Sequence, residues 1–430
     1  MGLKGKGWMR LDNAALIFPA VQKRSWVNTF RVSATLTDIV NPALLQQAVE
    51  DLMPRFPSYY QRMGTGFFWY FLEDVRQAPQ VRPEYAFPLT HMGIREQRRC
   101  CFRVLYHEKR VAVEFFHVLT DGHGGLIYLK NLLARYLFLK EGLKIPPEAE
   151  IEDITAEPRD TELKDAFQRC SGPFAMSRQE ADAYRLKGSL DTSGRMHVIS
   201  GLISTKTLKE AATAENTTVT GFLAALLMDT IIEIQACHVK KKKWRPVKIT
   251  VPVNLRRVFQ TETLRNFSLV LNPGVDPRFK QYSVSELCRE YNYQMALELT
   301  PEKMAARIAA NVSPQQKKCI RLVPLFLKNI IMRGIYRRVG EKKGCINLSN
   351  LGAISLPRAM EDHVSRFEMM IGVQLSYPNN CSVASYGGTT CINFIRNIHE
   401  TELERRFFTR LVERGIPVHI ESSEEEREEA

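Results

Sequence analysis

The chain has 430 residues, of which 44% are hydrophobic and 25% charged, and its formal net charge is +13. A chain of this length and apolar content can bury one large core or two medium ones, and its length favours a globular protein of two domains. No apolar run approaches the length of a membrane span, because the best candidate, residues 221–228, ends at Asp229, and the N-terminus lacks a long apolar stretch. We therefore expect neither a transmembrane helix nor a signal peptide.

The nine cysteines contain no C-x-x-C pair and no His/Cys spacing typical of zinc sites. An odd count without such spacing argues against a disulfide framework and favours reduced thiols. The sequence therefore predicts a cytoplasmic protein without a metal site.

The first half mixes strands with helices. Asn41 and Pro42 supply a cap and a first-turn proline for one helix. The second of two hairpins turns at Glu108 and Lys109. The predicted elements, in chain order, are a strand over 26–37, a helix over 43–53, a hairpin of 59–63 with 67–72, a hairpin of 102–106 with 111–117, and a helix over 126–139.

The junction after the second hairpin carries the residues most suggestive of chemistry. His117 ends the predicted strand, and Asp121 lies in the turn that follows. Gly122 and two further glycines break the chain before the helical pattern resumes. An imidazole held at a strand end beside a carboxylate suits a general base.

The second half begins after a polar, proline-containing stretch, 141–194, where we place the domain crossover. Its pattern again alternates between strands and helices. The predicted strands cover 196–203, 247–253, 267–272, 345–351, 366–375, 381–386 and 390–396, and the predicted helices cover 206–215, 219–235, 284–298, 301–311, 315–339 and 400–414.

Residues 303–343 contain eleven Lys or Arg against the single acid Glu341. A solvated helix face normally carries balancing acids, so this excess favours an anionic ligand or partner. Two alternatives remain open: a positive entrance for a phosphate-bearing substrate, with Arg337 and Arg338 as candidate contacts, or a surface that rests on an anionic membrane. We favour the first. No nucleic-acid partner is expected, because aromatic residues are not interleaved on a recognisable binding module.

The chain resembles a known family. His117, Asp121 and Gly122 match the H-H-x-x-x-D-G motif of the acyltransferase superfamily that includes chloramphenicol acetyltransferase, condensation domains of peptide synthetases, wax ester synthases and alcohol acetyltransferases. Residues 11–15 are similar to the bacterial alcohol-acetyltransferase-like branch. The first His of the motif is Phe116 here. Further matching stretches follow in the family's order: 251–256 with 266–267, then 348–352, then 385–388.

The resemblance implies an α/β fold of two chloramphenicol-acetyltransferase-like subdomains. Each would be a mixed or antiparallel sheet packed with helices, with an active-site tunnel between them. We expect an N-terminal subdomain at 1–170 with the H-x-x-x-D-G motif and a C-terminal subdomain at 171–420. Residues 421–430 carry six Glu and one Arg, which predicts an acidic, disordered tail.

The resemblance also implies roles for the motif. His117 corresponds to the catalytic histidine, which removes the acceptor's proton. Asp121 is expected to pair with an arginine from the other half, for which Arg256 is the best match. Gly122 gives the turn its freedom and leaves room for a pantetheine arm, although a simple helix-entry glycine fits the sequence equally well.

Ser349 and Asn350 follow or end a predicted strand and are candidate polar donors that face the tunnel, one of them for an oxyanion. Bonding to backbone at a strand end is an equally good interpretation of both. No serine lies in a nucleophile-elbow sequence. Direct transfer without an acyl-enzyme is therefore expected.

The leading hypothesis is an acyltransferase that moves an acyl group from an acyl-CoA or carrier-protein thioester to an alcohol through a tetrahedral intermediate. No cofactor is expected to stay bound, since the thioester is a co-substrate. The expected partners are acyl-CoA and an alcohol or amine, with a carrier protein and an anionic membrane surface as further candidates. Two alternatives stay open: a condensation-type enzyme that forms amides, and a catalytically silent binding member of the superfamily.

Overall fold

The computed structural model describes residues 7–22, 28–85, 87–176, 180–340, 342–373 and 377–423. The strands in this part of the chain are β1 Trp8–Arg10, β2 Thr29–Leu36, β3 Gln61–Thr65, β4 Tyr70–Asp74, β5 Arg82–Pro83, β6 Phe102–His107, β7 Arg110–Phe116, β8 His197–Ser204, β9 Val247–Asn254, β10 Ser268–Leu271, β11 Gly274–Val275, β12 Ile346–Ala353, β13 Val364–Ile371, β14 Asn379–Tyr386, β15 Thr389–Arg396 and β16 His419–Ser422.

The helices are α1 Ile17–Val21, α2 Pro42–Leu52, α3 Ile94–Gln97, α4 Gly122–Glu141, α5 Asp160–Leu163, α6 Ala166–Arg169, α7 Thr205–Ala214, α8 Val219–His238, α9 Arg256–Phe259, α10 Val284–Glu298, α11 Pro301–Gln316, α12 Lys318–Arg321, α13 Leu325–Ile335, α14 Arg358–Glu361 and α15 Glu402–Glu413. A short 3₁₀ helix covers Lys241–Lys243, and a π-helical turn covers Tyr336–Gly340.

The first lobe is built on a five-stranded sheet in the order β13-β2-β7-β6-β5. Helix α4 packs on β2 and β7, and α2 packs on α4. Their contact buries a cluster of aromatic rings that includes Phe30, Phe102, Phe115 and Tyr128. The first half of the chain also forms a separate three-stranded sheet in the order β1-β4-β3.

The second lobe is built on an eight-stranded mixed sheet in the order β10-β9-β12-β14-β15-β8-β16, with β11 paired to β9. Strand β12 runs parallel to β9 and β14, and the other pairs are antiparallel. Helix α8 packs against α7, α10, α15 and β9. By length and composition α8 could cross a membrane, which corrects the expectation that no apolar run is long enough, but 67% of its most apolar window is buried inside the protein.

One strand joins the two lobes. β13 comes from the second half of the chain, yet it pairs antiparallel with β2 in the first lobe's sheet. Side chains of the second sheet hold its backbone, since Asn393 Nδ2 donates to Met369 O at 3.0 Å and Asn380 Nδ2 donates to Gly372 O at 2.7 Å. The division into subdomains at residue 170 stays an expectation. Strand β13 lies after that position in the sequence but belongs to the sheet of the first lobe.

The predicted α/β fold with two lobes of sheets packed with helices is confirmed, and several boundaries are corrected. Helix α4 begins at Gly122 and not at residue 126, because the Asp121 side chain caps it by accepting Gly124 N–H at 3.2 Å. The helix predicted over 315–339 is wrong as one element, since Pro324 precedes a new helix, α13. The first hairpin pairs 61–65 with 70–74, so its turn is displaced.

The tail prediction is also corrected at its start. Glu421 and Ser422 belong to β16, which pairs with β8, and the Glu421 carboxylate binds Arg366 at 2.8 Å. Residues 424–430 lie outside the described part of the chain.

Candidate active site

His117 lies directly after β7, at the turn that leads into α4. Its backbone N–H donates to Asn28 O at 3.0 Å. The imidazole stacks on Phe18 of α1, with the ring centroids 4.6 Å apart, and meets the ring of Phe30 edge-on at 5.0 Å. These contacts fix the plane of the ring and leave the residue half-buried.

Asn266, from the other half of the chain, fixes which imidazole nitrogen carries the proton. Its Nδ2 donates to His117 O at 2.9 Å and to Asp12 Oδ2 at 3.1 Å. Both partners are acceptors, so the amide nitrogen must lie on that side, and Oδ1 is the atom 2.9 Å from His117 Nδ1. Nδ1 must therefore donate its proton to Asn266, which leaves the lone pair on Nε2.

Asp12 is the second acceptor of the Asn266 amide. Its Oδ1 accepts Ala15 N–H at 2.8 Å, and the guanidinium of Arg265 lies 3.8 Å from Oδ2. Burial raises the pKa of Asp12 to about 7, against the opposing charge of Arg265. Contacts thus run from Asp12 through Asn266 to the His117 ring.

Asp121 and Arg256 meet in the structure. Arg256 Nη1 lies 2.9 Å from Asp121 Oδ2, and each side chain is only 7% exposed. The same carboxylate oxygen accepts Phe267 N–H at 2.8 Å. Burial raises the pKa of Asp121, but the charge and hydrogen bond of Arg256 outweigh it and hold this pKa below its ordinary value. Asp121 is therefore ionised and occupied by structural contacts.

The remaining donors of Arg256 organise the loop that carries Asn266. Nε donates to Thr263 O at 2.7 Å, Nη2 donates to Arg265 O at 2.5 Å, and Nη1 also reaches Asn254 Oδ1 at 3.2 Å. One guanidinium thus ties residues 263–265 to the start of α4. Arg257, its neighbour, is exposed.

Neighbouring atoms lie so close to Gly122 and Gly124 of α4 that a Cβ at either position would clash with them. A Cβ on Gly124 would lie 2.1 Å from Thr120 Oγ1 and 2.6 Å from Leu264 O, so only glycine fits there. A Cβ on Gly122 would lie 2.8 Å from Met369 Cε of β13. The space in front of Gly122, which the resemblance assigns to a pantetheine arm, is thus bordered by a flexible side chain from the strand that joins the lobes.

Ser349 and Asn350 point to opposite faces of β12, as consecutive strand residues do. Ser349 Oγ lies 3.8 Å from Met369 Sδ, the side chain that borders Gly122. The Asn350 amide instead donates to Thr220 Oγ1 at 3.0 Å, and its Oδ1 accepts Gly352 N–H at 2.7 Å. Of the two candidates, Ser349 is the one directed toward the His117 motif.

The basic stretch is only partly available to an anion. Lys303 and Arg307 contact Glu298, and Lys343 contacts Asp182. Arg338 is exposed on the π-helical turn, and the side chain of Arg337 lies outside the described part. Their role toward a phosphate-bearing substrate stays a prediction.

Sequence reasoning gave no role to Asn266, Asp12 or Phe18. Asn266 and Asp12 lie in stretches that resemble the family. Their contact joins residues 254 positions apart, which no local pattern reveals. Asp12 precedes Asn13 and Asn266 follows Arg265, so neither stands out in the sequence as an isolated polar residue. Only the structure shows that both are at most 1% exposed.

Two other features lie elsewhere in the fold. Asp191, His197 and His399 have ligand atoms within 4.8 Å of one another, an arrangement that could hold a metal ion. A cavity of about 720 Å³ is lined by Tyr184, Trp244 and basic residues from 185–187, 242–245 and 342. The sequence predicted neither. A tunnel at His117 stays a prediction.

No family model and no curated protein matches the chain, but solved structures do. The trichothecene 15-O-acetyltransferase TRI3 from Fusarium sporotrichioides aligns with a TM-score of 0.59 and 9% identity, over 95% of both chains. The wax ester synthase/diacylglycerol acyltransferase from Marinobacter aquaeolei VT8 aligns with a TM-score of 0.56 and 13% identity, over 95% of this chain and 100% of that one. The protein has the fold of the acyltransferase superfamily that its sequence resembles.

A third match extends the range of chemistry found on this fold. It is the starter condensation domain of rhizomide synthetase, in a mutant form in complex with C8-CoA and Leu-SNAC, with a TM-score of 0.58 and 12% identity over 94% of this chain and 93% of that one. At these identities the matches establish the fold, and the activity of this chain has to be argued from its own residues.

The first prediction concerns the Asp121–Arg256 pair. Asp121→Asn or Arg256→Gln leaves the other charge buried without its partner, so each should lower the free energy of unfolding by about 3–5 kcal/mol. Chemical denaturation of both single variants and the double variant measures their coupling. The exposed pair Lys280–Glu286 is the matched control and should show little coupling. Additive effects of the Asp121 and Arg256 changes would contradict the arrangement.

The second prediction concerns Asp12. Its folded pKa of about 7 lies above the ordinary 3.8, so the folded protein binds this proton more tightly than the unfolded chain. Its contribution to stability is present at low pH and is lost as pH rises from about 4 to about 7. Asp12→Asn cannot titrate. Relative to wild type, its thermal midpoint should therefore rise between about pH 4 and about pH 7 and level off above that pH.

The control for this experiment is Asp153→Asn. A hydrogen bond from the Thr155 hydroxyl lowers the pKa of Asp153 below its ordinary value, so its midpoint difference should stay constant over the same range. If Asp12→Asn and Asp153→Asn behave alike, Asp12 is not the group that titrates near neutral pH.

Proposed function

We propose that this protein transfers an acyl group from a coenzyme A or carrier-protein thioester to an alcohol, with His117 as the general base. The observation that carries the proposal is the hydrogen bond between His117 Nδ1 and Asn266 Oδ1, which leaves the lone pair on Nε2. The fold, shared with an acetyltransferase and with a domain bound to C8-CoA, supports the substrate class. We place both substrates in a tunnel between the two lobes.

The ionisation state of His117 suits this role. Burial lowers its pKa below the ordinary 6.5, although the Asp121 charge and the Asn266 hydrogen bond oppose that effect. The imidazole is therefore neutral near pH 7 and ready to accept a proton. Asp121 does not act as its orienting carboxylate, because Arg256 and two backbone N–H groups already occupy its oxygens.

In the proposed reaction, Nε2 removes the hydroxyl proton of the acceptor as its oxygen attacks the thioester carbonyl carbon. The carbonyl becomes a tetrahedral oxyanion. When it collapses, the C–S bond breaks, and the imidazolium returns the proton to the departing thiolate. One imidazole thus serves both proton transfers, and no acyl-enzyme forms.

Ser349 is our candidate for an oxyanion donor. Its hydroxyl faces the thioether of Met369, a weak acceptor, beside Gly122. The hydroxyl is therefore free to turn toward a stronger acceptor such as an oxyanion. Asn350 is the weaker candidate, because its amide is bonded to Thr220 and to the Gly352 N–H.

The amide-forming alternative differs only in the acceptor, and the structural match to a condensation domain bound to Leu-SNAC keeps it open. The test of acceptor class is direct. The protein is incubated with acyl-CoA donors of increasing chain length and with pools of alcohols and amines, thiol release is followed, and products are identified by mass spectrometry. Ester products support the proposal, amide products support the alternative, and no thiol release with any pair supports a silent binding protein.

The third prediction tests the base. His117→Ala should lower kcat by a factor of about a hundred to ten thousand while the thermal midpoint changes little. His107→Ala, at the exposed end of β6, is the matched histidine control and should keep wild-type turnover. Turnover of the His117 variant within a fewfold of wild type would remove His117 from the mechanism.

The fourth prediction concerns pH. Since burial holds the His117 pKa below 6.5, kcat/KM should be level at neutral pH and fall on the acid side with an apparent pKa below 6.5. Asn266→Ala should lower kcat more than it raises KM, because the variant no longer favours the tautomer with its lone pair on Nε2. An acid limb above 6.5 would show that another group controls the rate.

A further inference from the structure

Helix α13 is turned with its apolar side outward. Its inner face carries Leu325 and Lys328, each 9% exposed, and Asn329, which is partly buried. Its outer face, with the preceding turn, carries a set of exposed large apolar side chains: Leu322 at 72%, Phe326 at 63%, Leu327 at 41%, Ile330 at 62%, Ile331 at 52% and Ile335 at 52%. A surface helix of a soluble protein normally has the opposite orientation.

The inner contacts hold α13 in this orientation. Lys328 Nζ lies 3.4 Å from the centre of the Trp69 ring and donates to Phe68 O at 3.0 Å. Asn329 Nδ2 donates to Tyr70 OH at 2.9 Å. The side chains of Lys328 and Asn329 are thus bound by residues 68–70, and Lys328 also donates to Arg321 O at 3.2 Å. The large apolar side chains named above are left facing outward.

The turn adds to the same surface. Leu325 N–H donates to Phe67 O at 2.9 Å, which places the tip of the β3–β4 hairpin against the start of α13. Phe67 is 70% exposed and Phe68 37%. We call Phe67, Phe68 and the six apolar side chains above the α13 surface. Large exposed apolar patches of this kind mark interaction sites.

The charges around the α13 surface indicate its partner. Lys317, Arg321, Arg333 and Arg338 are exposed next to it, and the sequence from 303 to 340 contains no Asp or Glu. If a second copy of the chain packed symmetrically on this face, the cations of the two copies would lie next to each other and repel. An anionic lipid bilayer would accept both the apolar side chains and the cations.

We propose that the α13 surface docks on a bilayer that contains anionic lipid. In this arrangement α13 lies in the plane of the interface with its outer side chains among the acyl chains, and the phenylalanines of the hairpin tip insert beside it. The cations contact the lipid headgroups.

Docking would bring the bilayer close to the candidate active site. Arg333 Nε donates to Ala20 O of α1 at 2.6 Å, and Phe18 of the same helix stacks on His117. One short helix thus separates the α13 surface from the imidazole. Membrane docking is inferred from the exposed apolar side chains and the cations next to them, and it does not depend on the proposed reaction.

The test uses the full chain and sedimentation with vesicles of phosphatidylcholine, with or without phosphatidylglycerol. Wild type should bind the mixed vesicles, and binding should weaken in high salt. Phe326→Ser with Ile330→Ser should reduce binding by about tenfold or more, since it removes two large apolar side chains from the interface. Phe279→Ser with Val412→Ser, which removes similarly exposed apolar side chains elsewhere, is the matched control and should bind as wild type does.

Arg321→Glu with Arg338→Glu should abolish the preference for phosphatidylglycerol. Unchanged thermal midpoints of the variants show that the fold is kept. Equal binding of the wild type and the Phe326/Ile330 variant overturns the proposal. The proposal is also overturned if the wild type does not bind the vesicles but forms a dimer, and the Phe326/Ile330 variant is monomeric. A higher KM for a water-soluble thioester in the Arg321/Arg338 variant, with vesicle binding unchanged, assigns these cations to the donor and also overturns it.

Discussion

The buried ion pair between Asp121 and Arg256 is the interaction on which the candidate site depends. Asp121 caps α4 at the end of the helix where a negative charge is favoured, and Arg256 neutralises it from the other half of the chain. Because the same guanidinium binds the carbonyl oxygens of Thr263 and Arg265, it fixes the loop that presents Asn266. The position of one charge in the first lobe therefore determines the conformation of a loop in the second.

The consequence of that loop is chemical. Asn266 cannot be flipped without pointing its amide hydrogens at His117 Nδ1 and losing its bonds to Asp12 and His117 O. The imidazole is thus held in one tautomer by an amide, while the nearby carboxylate is committed to structure. The imidazole and the amide that contacts it are 149 positions apart in the chain.

Local sequence patterns predicted the elements that build the lobes but not the contacts that join them. The cap at Asn41, the hairpin turning at Glu108 and the core helix α8 follow from periodicity and capping residues, and the structure contains all three. The pairing of β13 with β2 could not be predicted, because alternation shows that a strand exists and not which sheet it enters. Arg256 was predicted as the partner of Asp121 from the resemblance to a family and not from a local pattern. The sequence left open whether the apolar side of α13 faces outward, because Lys328 looks like a surface residue until its contacts with Trp69 and Phe68 are known.

The central claim is that Asn266 sets His117 as the tautomer with its lone pair on Nε2. Nitrogen-15 NMR of the protein labelled at histidine, assigned with the His117→Ala variant, measures this directly, because the two ring nitrogens of a neutral imidazole differ in chemical shift according to which one is protonated. The account predicts a protonated Nδ1 and an unprotonated Nε2 in wild type at neutral pH, and a mixture of tautomers in Asn266→Ala. A proton on Nε2 in the wild type, or a spectrum that is the same in both proteins, would contradict it.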